Sequence, residues 1–519
     1  MGCMLRRKIG RLLAAAILTV QLTGCQFNTP ESVDAAPELH IMLKMNDTFS
    51  AENNAYIKAL EEEIGISLVV ECPSPSSYNE RLNVMMAMGD LPDIVQVNWN
   101  GEANLSMWAQ NKTIVPVDLN AAPNIKSNIP KELVSMMMVG TGDLLYAIPG
   151  ITTSYPYGVI IRKDWMDKFK LETPRTLDDF VQVMKSFTYK DPDENQKKDT
   201  YGITSWRLNQ LGGVFAGAFQ TDYLWNSIHA DAGNTYKKAV LRENQKGYLD
   251  FLTFLREVYE QDLIDPSFAT LQNVEERFIQ GKIGMIGGYS NDTIALEKRL
   301  KQTVPDARLE WILPPGDYEG RVWNFTPESY GYSGIGSMVG ENAVFVITRD
   351  ADYAVALDFL DKMNTPEMIT FSNLGIQGVH YQIYDANRNL IIRTPEQEKN
   401  AIRELWGISD TYRSESFAYL ANDEQESTRL KYYQKKGHLL ITNPYSYSMG
   451  LVSENTDFQK KYPGYKDFER TYAIRYVTGE ITLEQYTEAI AGELPREKAV
   501  LEQKINEKYQ KFIEDAPIK

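Results

Sequence analysis

Two kinds of hydrophobic periodicity alternate along the first third of the chain. Apolar runs predict three strands, at 39–43, 67–71 and 94–97. Between them, apolar positions at helical spacing predict two amphipathic helices, on Tyr56, Ile57, Leu60 and Ile64 and on Leu82, Met85 and Met86. We expect Ser50 to cap the first helix, and Ser77 with Glu80 to form a capping box for the second. This strand–helix order predicts a parallel sheet covered by helices.

The same alternation restarts after Pro149-Gly150. Further strands are predicted at 157–161, 283–286 and 343–347. Helices are predicted at 165–169, at 248–259, on Phe180, Val183, Met184 and Phe187, and on Val355, Phe359 and Leu360. Thr176 with Asp179, and Thr482 with Gln485, have the spacing of capping boxes. The pattern predicts an α/β protein of two lobes with a helical C-terminal region.

The N-terminus has the features of an export signal. Basic residues at positions 6, 7, 8 and 11 precede an apolar run, 12–18, that is too short to span a bilayer. Leu22-Thr23-Gly24-Cys25 then has the form of a bacterial lipobox. We therefore expect 1–24 to be a lipoprotein signal peptide, and 25–38 to be a lipidated Cys25 and a tether that holds the protein at the extracytoplasmic face of the membrane. The alternative is an ordinary secretory signal with an incidental cysteine.

Composition narrows the class of protein. The 519 residues suffice for two to four domains, and 54 basic against 70 acidic residues give a net charge of −16, which argues against a nucleic-acid binder. Removing the signal lowers that charge to −20, because the segment holds four basic and no acidic residues. It also removes Cys3, so with Cys25 lipidated Cys72 has no cysteine with which to pair. The 30 tyrosines and 8 tryptophans provide many flat apolar surfaces.

No motif indicates catalysis. The four histidines lie far apart in sequence, no phosphate-binding loop is present, and Gly331-Tyr332-Ser333-Gly334 lacks the spacing of a nucleophile elbow. A pair of carboxylates for glycoside hydrolysis stays open as an alternative, since no two of the 70 acidic residues stand out. We therefore predict no catalytic residue.

One segment has the spacing of a cation-binding loop. Residues 191–200 carry oxygen-bearing side chains at positions 1, 3, 5 and 9, and position 7 would contribute a backbone carbonyl. Gln196 and Gly202 stand where an EF-hand loop has its glycine and its bidentate glutamate. The alternative is a solvated turn, with Asp and Asn present for turn formation.

Several motifs together carry a resemblance to a known family. They are the lipobox at Cys25, Gly89-Asp90-Leu91-Pro92-Asp93-Ile94-Val95, the run 158–165, the loop 191–202, Gly281-Lys282-Ile283-Gly284-Met285, and Thr478-Gly479-Glu480. In this order they resemble the type 1 extracellular solute-binding proteins of ABC transporters, especially the large lipoproteins of oligosaccharide uptake, similar to maltose- and alginate-binding proteins.

The resemblance implies a two-lobed, periplasmic-binding-protein-like fold of type II, with several chain crossings at the hinge. The expected lobes are 39–156 plus about 334–378, and 157–333 plus about 379–519 with the helical tail. It also implies a monomer without catalytic activity that delivers an oligosaccharide to ABC permease subunits. By the same resemblance a structural Ca²⁺ would be held by Asp191, Asp193, Asn195, the carbonyl of Lys197, and Asp199.

Ligands of open α/β sheets bind beyond the carboxyl ends of strands, where aromatic and amide side chains suit sugars. Candidate ligand-binding residues placed there, or near turns and crossings, are Asn46, Asp47, Asn98, Trp99, Tyr155, Trp206, Tyr289, Asn291 and Tyr381. For any single aromatic residue, packing in the core is the alternative. Two other functions stay open: a receptor for another solute, such as a peptide or a signalling ligand, and an extracellular carbohydrate-active enzyme.

Overall fold

The computed structural model describes residues 36–44, 54–74, 76–97, 104–129, 134, 137–138, 144–152, 155–221, 247–317, 320–323, 339–393, 412–413, 420–437, 439–441, 461–462, 464–492, 499–500, 502–504 and 507. Its strands are β1 Glu38–Met42, β2 Ser67–Glu71, β3 Ile94–Val97, β4 Ile148–Thr152, β5 Tyr157–Arg162, β6 Tyr201–Ile203, β7 Ile283–Tyr289, β8 Leu309–Ile312, β9 Val322–Trp323, β10 Val339–Ile347, β11 Tyr381–Asp385, β12 Leu390–Arg393, β13 Tyr412–Arg413 and β14 Leu440–Ile441.

The helices alternate with these strands. They are α1 Ala55–Ile64, α2 Tyr78–Met88, α3 Asn104–Gln110, α4 Pro123–Asn128, α5 Lys163–Lys168, α6 Leu177–Tyr189, α7 Asn209–Phe215, α8 Tyr248–Glu260, α9 Val274–Arg277, α10 Asp292–Leu300, α11 Tyr353–Lys362, α12 Pro366–Leu374, α13 Glu424–Gly437, α14 Tyr465–Val477 and α15 Leu483–Gly492. Within the described ranges, no helix combines the length and the apolar character that crossing a membrane requires.

A six-stranded mixed sheet forms the first lobe, in the order β13-β4-β10-β3-β1-β2. β1 pairs in parallel with both β2 and β3, which confirms the parallel unit that the sequence predicts, and β10 runs antiparallel to β3 and β4. β3 is buried along its whole length, because α1, α2 and α11 contribute to one continuous apolar core around the sheet.

Helix caps separate correct from wrong local predictions. Asn54, not Ser50, caps α1: its side chain accepts hydrogen bonds from the N–H groups of Tyr56 and Ile57. The capping box at Ser77 is also wrong, since the Ser77 hydroxyl contacts Ser74 and makes no cap bond to α2.

The other two capping boxes are confirmed. Thr176 and Asp179 exchange hydrogen bonds at the start of α6, as do Thr482 and Gln485 at the start of α15. Both helices also begin within one residue of the positions that these signals predict.

A second sheet, in the order β6-β7-β5-β8, forms the other lobe. Two apolar cores cover its faces: Val159 and Ile161 of β5 point into one, and Ile160 between them points into the other. The C-terminal helices α14 and α15 complete the first of these cores with buried side chains that include Val477 and Tyr486. The fold is thus the two-lobed α/β architecture that the sequence predicts.

The chain returns to the first lobe late in the sequence. β13, at 412–413, pairs in parallel with β4 of the first sheet, although it lies within the range assigned above to the second lobe. A two-residue strand carries no hydrophobic period, so sequence patterning has nothing there to detect. The chain therefore crosses between the lobes more often than the two-segment boundaries predicted for each lobe imply.

Cys72 follows β2 of the first lobe and is half-buried. Burial, and secondarily the neighbouring charge of Glu71, raise the pKa of its thiol to about 12. The thiol is therefore held in its protonated form.

Candidate functional site

A cavity of about 270 Å³ opens where β6 and β7 end. These two strands are parallel, so their carboxyl ends meet at the same edge of the second sheet. Residues that line the cavity are Tyr157, Ile160, Trp206, Asn209, Gln210, Val274, Glu275, Ile286, Gly287, Gly288, Tyr289, Asp292 and Leu296. Its volume lies just under the roughly 300–1,000 Å³ that is typical of small-molecule sites.

Two tyrosines form one wall of the cavity. Tyr157 starts β5 and pairs in register with Tyr289 at the end of β7. Their rings meet edge to face, with centroids 5.3 Å apart at 90°. Gly287 is required beneath them, because a Cβ at this position would lie 2.5 Å from the Tyr157 hydroxyl oxygen. Because Gly287 has no side chain, the Tyr157 ring can pack against the backbone there, and the same position lines the cavity.

Trp206 stands at the mouth of the cavity, with 37% of its surface exposed. Its backbone N–H donates to Oε1 of Gln210 at 2.8 Å. The buried Ser205 hydroxyl oxygen accepts the N–H of Gln210 at 3.0 Å, which fixes the turn that leads into α7. The indole is therefore held by a rigid turn although it faces solvent.

The turn is anchored from below by a buried carboxylate. Asp265 is 1% exposed and accepts hydrogen bonds from the Thr204 hydroxyl at 3.0 Å and from Nε of Arg277 at 2.8 Å. Burial by itself raises the pKa of Asp265, but hydrogen bonds from Arg277 and Ser267 outweigh it and hold the pKa below its usual value. Arg277 and Glu275 both belong to α9, and Asp265 also bonds Thr204 just before Trp206. The ion pair therefore connects α9 to the turn that carries Trp206.

Three buried oxygens on residues that follow Tyr289 in sequence have no hydrogen-bond partner among the described residues. They are Ser290 Oγ, Asn291 Oδ1 and Thr293 Oγ1, at the start of α10 directly after Tyr289. Ser290 and Thr293 are both 0% exposed, and Asn291 makes no side-chain cap to the helix. A buried polar atom left unpaired costs about 1–3 kcal/mol, so such a cluster indicates bonds that water or a ligand completes.

The structure brings together two of the residues predicted to bind ligand. Trp206 and Tyr289 both line the cavity, and Asn291 lies two residues beyond Tyr289. Tyr155 is half-buried just before β5, and neither it nor Tyr381 belongs to the cavity lining. Tyr381 instead packs beside Tyr384 on a small apolar cluster with α12, the alternative given for it above.

The other predicted residues fall outside the described part of the chain. They are Cys25, Asn46, Asp47, Asn98 and Trp99. Their roles stay predictions.

Sequence reasoning missed several residues of the lining. Asn209 and Gln210 follow Trp206 so closely that their polarity was an available signal. Glu275 left none, because α9 reaches the cavity through tertiary packing and the Asp265–Arg277 ion pair.

The loop 191–199 lies at the opposite end of the same strands. Its first carboxylate, Asp191, accepts the N–H groups of Asn195 at 3.1 Å and Gln196 at 2.9 Å. Oδ1 of Asn195 accepts the N–H of Lys197 at 2.7 Å. Glu194 and Gln196 have φ values of +55° and +61°, a region that favours glycine. The loop is thus wound tightly by bonds of its own.

Asp193 and Asp199 face one another across the loop. The Asn195 side-chain N–H₂ donates to Oδ2 of Asp193 at 2.9 Å and to Oδ1 of Asp199 at 3.1 Å. Oδ1 of Asp193 is buried and has no hydrogen-bond partner among the described residues. The Thr200 hydroxyl, at the tenth position, points away and donates to the Phe187 carbonyl at 2.8 Å.

A lysine reaches the same two carboxylates from outside the loop. Nζ of Lys282 lies 2.5 Å from Oδ2 of Asp193 and 3.0 Å from Oδ2 of Asp199. Within the described ranges, no three His, Cys, Asp or Glu side chains are grouped so as to hold a metal ion. The predicted calcium ligands are therefore close in space but are not gathered around one point.

Comparison with known proteins places this architecture in a family. A family model described as "Bacterial extracellular solute-binding protein" matches residues 55–375. That range contains β2, β3, β4 and β10 of the first sheet, the cavity and the loop.

Individual relatives are distant but extend over most of the chain. Lipoprotein LipO of Bacillus subtilis is 26% identical over 379 residues, which are 72% of this chain and 74% of LipO. The polygalacturonan/rhamnogalacturonan-binding protein YtcQ of the same organism is 24% identical over 90% of this chain and 92% of its own. An extracellular solute-binding protein of Bifidobacterium longum subsp. infantis has a similar structure, with a TM-score of 0.70 at 14% identity, covering 94% of this chain and all of that one.

Proposed function

The chain belongs to the family of bacterial extracellular solute-binding proteins, and from this premise we propose that it binds an oligosaccharide in the cavity between Trp206 and Tyr289. The observation that carries the proposal is the aromatic wall of Tyr157 and Tyr289 together with the partly exposed indole of Trp206 in the same cavity. A sugar ring offers an apolar face that stacks on an indole or a phenol, and hydroxyls that form hydrogen bonds with polar side chains of the lining such as Asn209. The name of the relative YtcQ, polygalacturonan/rhamnogalacturonan-binding protein, supports a carbohydrate ligand, although the polygalacturonan it names is acidic.

The charged side chains of the cavity lining indicate whether the proposed oligosaccharide is neutral or acidic. The charged side chains in the cavity lining, Glu275 and Asp292, are both acidic. Glu275 pairs with Arg299 at 2.6 Å, and the Arg207 guanidinium beside the Trp206 ring faces Asp467 at 3.8 Å. A uronic acid would therefore meet acidic side chains and no uncommitted cation among these residues. We propose neutral oligosaccharides as the preferred ligands.

Capture without chemical conversion is the proposed role, since the family is one of substrate binding. We propose that the mature protein is held by lipid on Cys25 at the outer face of the membrane and passes its ligand to ABC permease subunits as a monomer. The lipoprotein name of LipO and the lipobox in this sequence support the anchor. Two acyl chains suffice for stable attachment.

A glycan panel tests the binding proposal. Purified mature protein is mixed with neutral fructo- and gluco-oligosaccharides, with oligogalacturonides and with short peptides, and its melting temperature and the products are measured. Because a ligand of the native state stabilises it by mass action, we expect a melting shift with neutral chains and no cleavage product. Turnover of any glycan would make the protein an enzyme, and a shift with peptides alone would make it a receptor of another class.

For the loop, we propose that calcium binds as a structural ion. Asp191, Asp193, Asn195, the carbonyl of Lys197, and Asp199 would supply the oxygen ligands that calcium prefers. The unpartnered Oδ1 of Asp193 supports this assignment. Calcium would hold the loop in shape and take no part in ligand capture. A melting shift with millimolar calcium that is lost in Asp193→Ala tests it, and an unchanged parent would contradict it.

A further inference from the structure

Lys282 occupies the centre of the acidic loop because of the register of the sheet. β6 and β7 are parallel and pair Tyr201 with Ile283, so the residues just before each strand are neighbours. Lys282 therefore enters beside Asp199, which lies two residues before β6. Gly281, at φ +80°, ends the preceding helical turn and sets the direction of the chain at this point. The position of the lysine depends on the second sheet as well as on the loop.

The ammonium group is charged and shared between two carboxylates. Partial burial by itself lowers the pKa of Lys282, but hydrogen bonds to Asp193 and Asp199 outweigh this and raise it above its ordinary value. The same bond from Lys282 holds the pKa of Asp199 below its usual value. The ammonium group is thus held between one oxygen of each carboxylate, Oδ2 of Asp193 and Oδ2 of Asp199.

The contacts of the lysine overlap with those of the proposed ion. Asp193 and Asp199 contribute to the proposed calcium shell, and their Oδ2 atoms both lie within ion-pair distance of Nζ of Lys282. The side chains are 27% exposed for Lys282, 21% for Asp193 and 40% for Asp199, so solvent screens the contact only in part. A divalent cation and the ammonium cannot share these two oxygens at full strength, because their charges repel at such short range.

We propose that the Lys282 ammonium is the loop's built-in cation and competes with calcium for Asp193 and Asp199. The loop keeps its fold without calcium, and a calcium ion enters only when Lys282 swings out. The proposal takes its ligand set from the calcium site described above and adds the competitor. It predicts that the parent protein binds calcium weakly and is stable without it, and that loss of the lysine makes the loop dependent on calcium.

Calcium titration of Lys282→Met tests the competition directly. By isothermal titration calorimetry we expect the variant to bind calcium at least about tenfold more tightly than the parent. In chelator its melting temperature falls below that of the parent, because Asp193 and Asp199 then repel each other, and added calcium restores it. Lys298→Met removes an exposed lysine that pairs with Glu426, and we expect parent-like behaviour in both assays.

Further variants separate the outcomes. Lys282→Gln keeps a hydrogen-bond donor without the charge, so it serves if the methionine variant folds poorly. In a Lys282→Met/Asp193→Asn double variant we expect the gained affinity to disappear. Equal calcium affinity in parent and Lys282→Met, or no calcium binding in either, would overturn the proposal. Glycan-induced melting shifts in the same samples report on oligosaccharide capture separately, so failure of one proposal is distinguishable from failure of the other.

Discussion

The two ends of the strand pair β6 and β7 differ in how completely their polar groups are satisfied. At the carboxyl end, Trp206 is partly exposed and three oxygens around Asn291 have no partner. At the amino end, Asp193 and Asp199 are linked by both Asn195 and Lys282. Near one end of these two strands, polar atoms lack hydrogen-bond partners. At the other end, most polar atoms are joined by hydrogen bonds and ion pairs.

This difference indicates a division of labour within one lobe. Unpaired polar atoms cost stability and are retained where a partner arrives later, whereas a paired network stabilises the fold itself. If the proposed site is right, changes to the exposed cavity lining should alter ligand binding. Changes to the buried Asp265 beneath it, or to the network at the amino end, should alter folding.

Asp265→Ala should have the largest effect, because it breaks the support beneath the ligand end. Removing this buried carboxylate leaves Arg277 without its partner, and we expect a loss of about 3 kcal/mol in the free energy of unfolding. Urea denaturation measures it, with Asp306→Ala, an exposed aspartate in a turn, as the control. A loss under about 1 kcal/mol would contradict the anchoring role of Asp265.

Trp206→Ala should affect binding alone. The indole is already partly in water, so we expect the unfolding free energy to change little while oligosaccharide affinity falls by about tenfold or more. Calorimetric titration with the best glycan of the panel measures the loss. Tyr432→Ala removes an aromatic ring that is more exposed than Trp206 and lies outside the cavity lining, and this variant should bind like the parent. Undiminished affinity in Trp206→Ala would move the ligand site elsewhere.

Gln196→Gly tests whether the loop at the amino end contains a strained backbone position. Because Gln196 has φ +61°, glycine relieves a strained backbone and we expect stabilisation of about 1 kcal/mol. Lys198→Gly is the matched control within the loop: its φ is not positive, so glycine there should destabilise by about 0.5–1 kcal/mol. Thermal denaturation distinguishes the two, and equal effects would mean that the loop is not strained at Gln196.

Acid should weaken the amino end through Asp199. Its pKa is held low in the folded state, mainly by the hydrogen bond from Lys282, so its stabilising effect is present above the unfolded value of about 3.9. That effect is lost as the pH falls through the folded pKa. We expect Asp199→Asn to flatten the pH dependence of the melting temperature slightly below pH of about 4. An unaltered acid profile would contradict the pairing with Lys282.

The sequence predicted the elements that have a regular apolar periodicity. It failed for features that depend on one contact, such as a helix cap. The parallel unit of β1, β2 and β3 follows from apolar periodicity, which the buried core enforces. The sequence predicted Ser50 as the cap of α1, but Asn54 caps the helix. Both residue types can cap, and the first turn lies where Tyr56 packs in the core.

The candidate site was predictable only in part, for a related reason. Trp206 and Tyr289 follow strands, and the carboxyl-end rule places both at one edge. Glu275 and Lys282 act through tertiary packing and sheet register, which leave no local signal in the sequence.

The raised pKa of the Cys72 thiol has a consequence for how the protein reacts with other thiols. With a pKa of about 12, the group carries very little thiolate at neutral pH. Disulfide exchange and alkylation both proceed through the thiolate. Disulfide exchange between copies of this protein through Cys72 is therefore slow. The same residue is a poor position for maleimide labelling, so a fluorophore can be attached selectively at an engineered exposed cysteine.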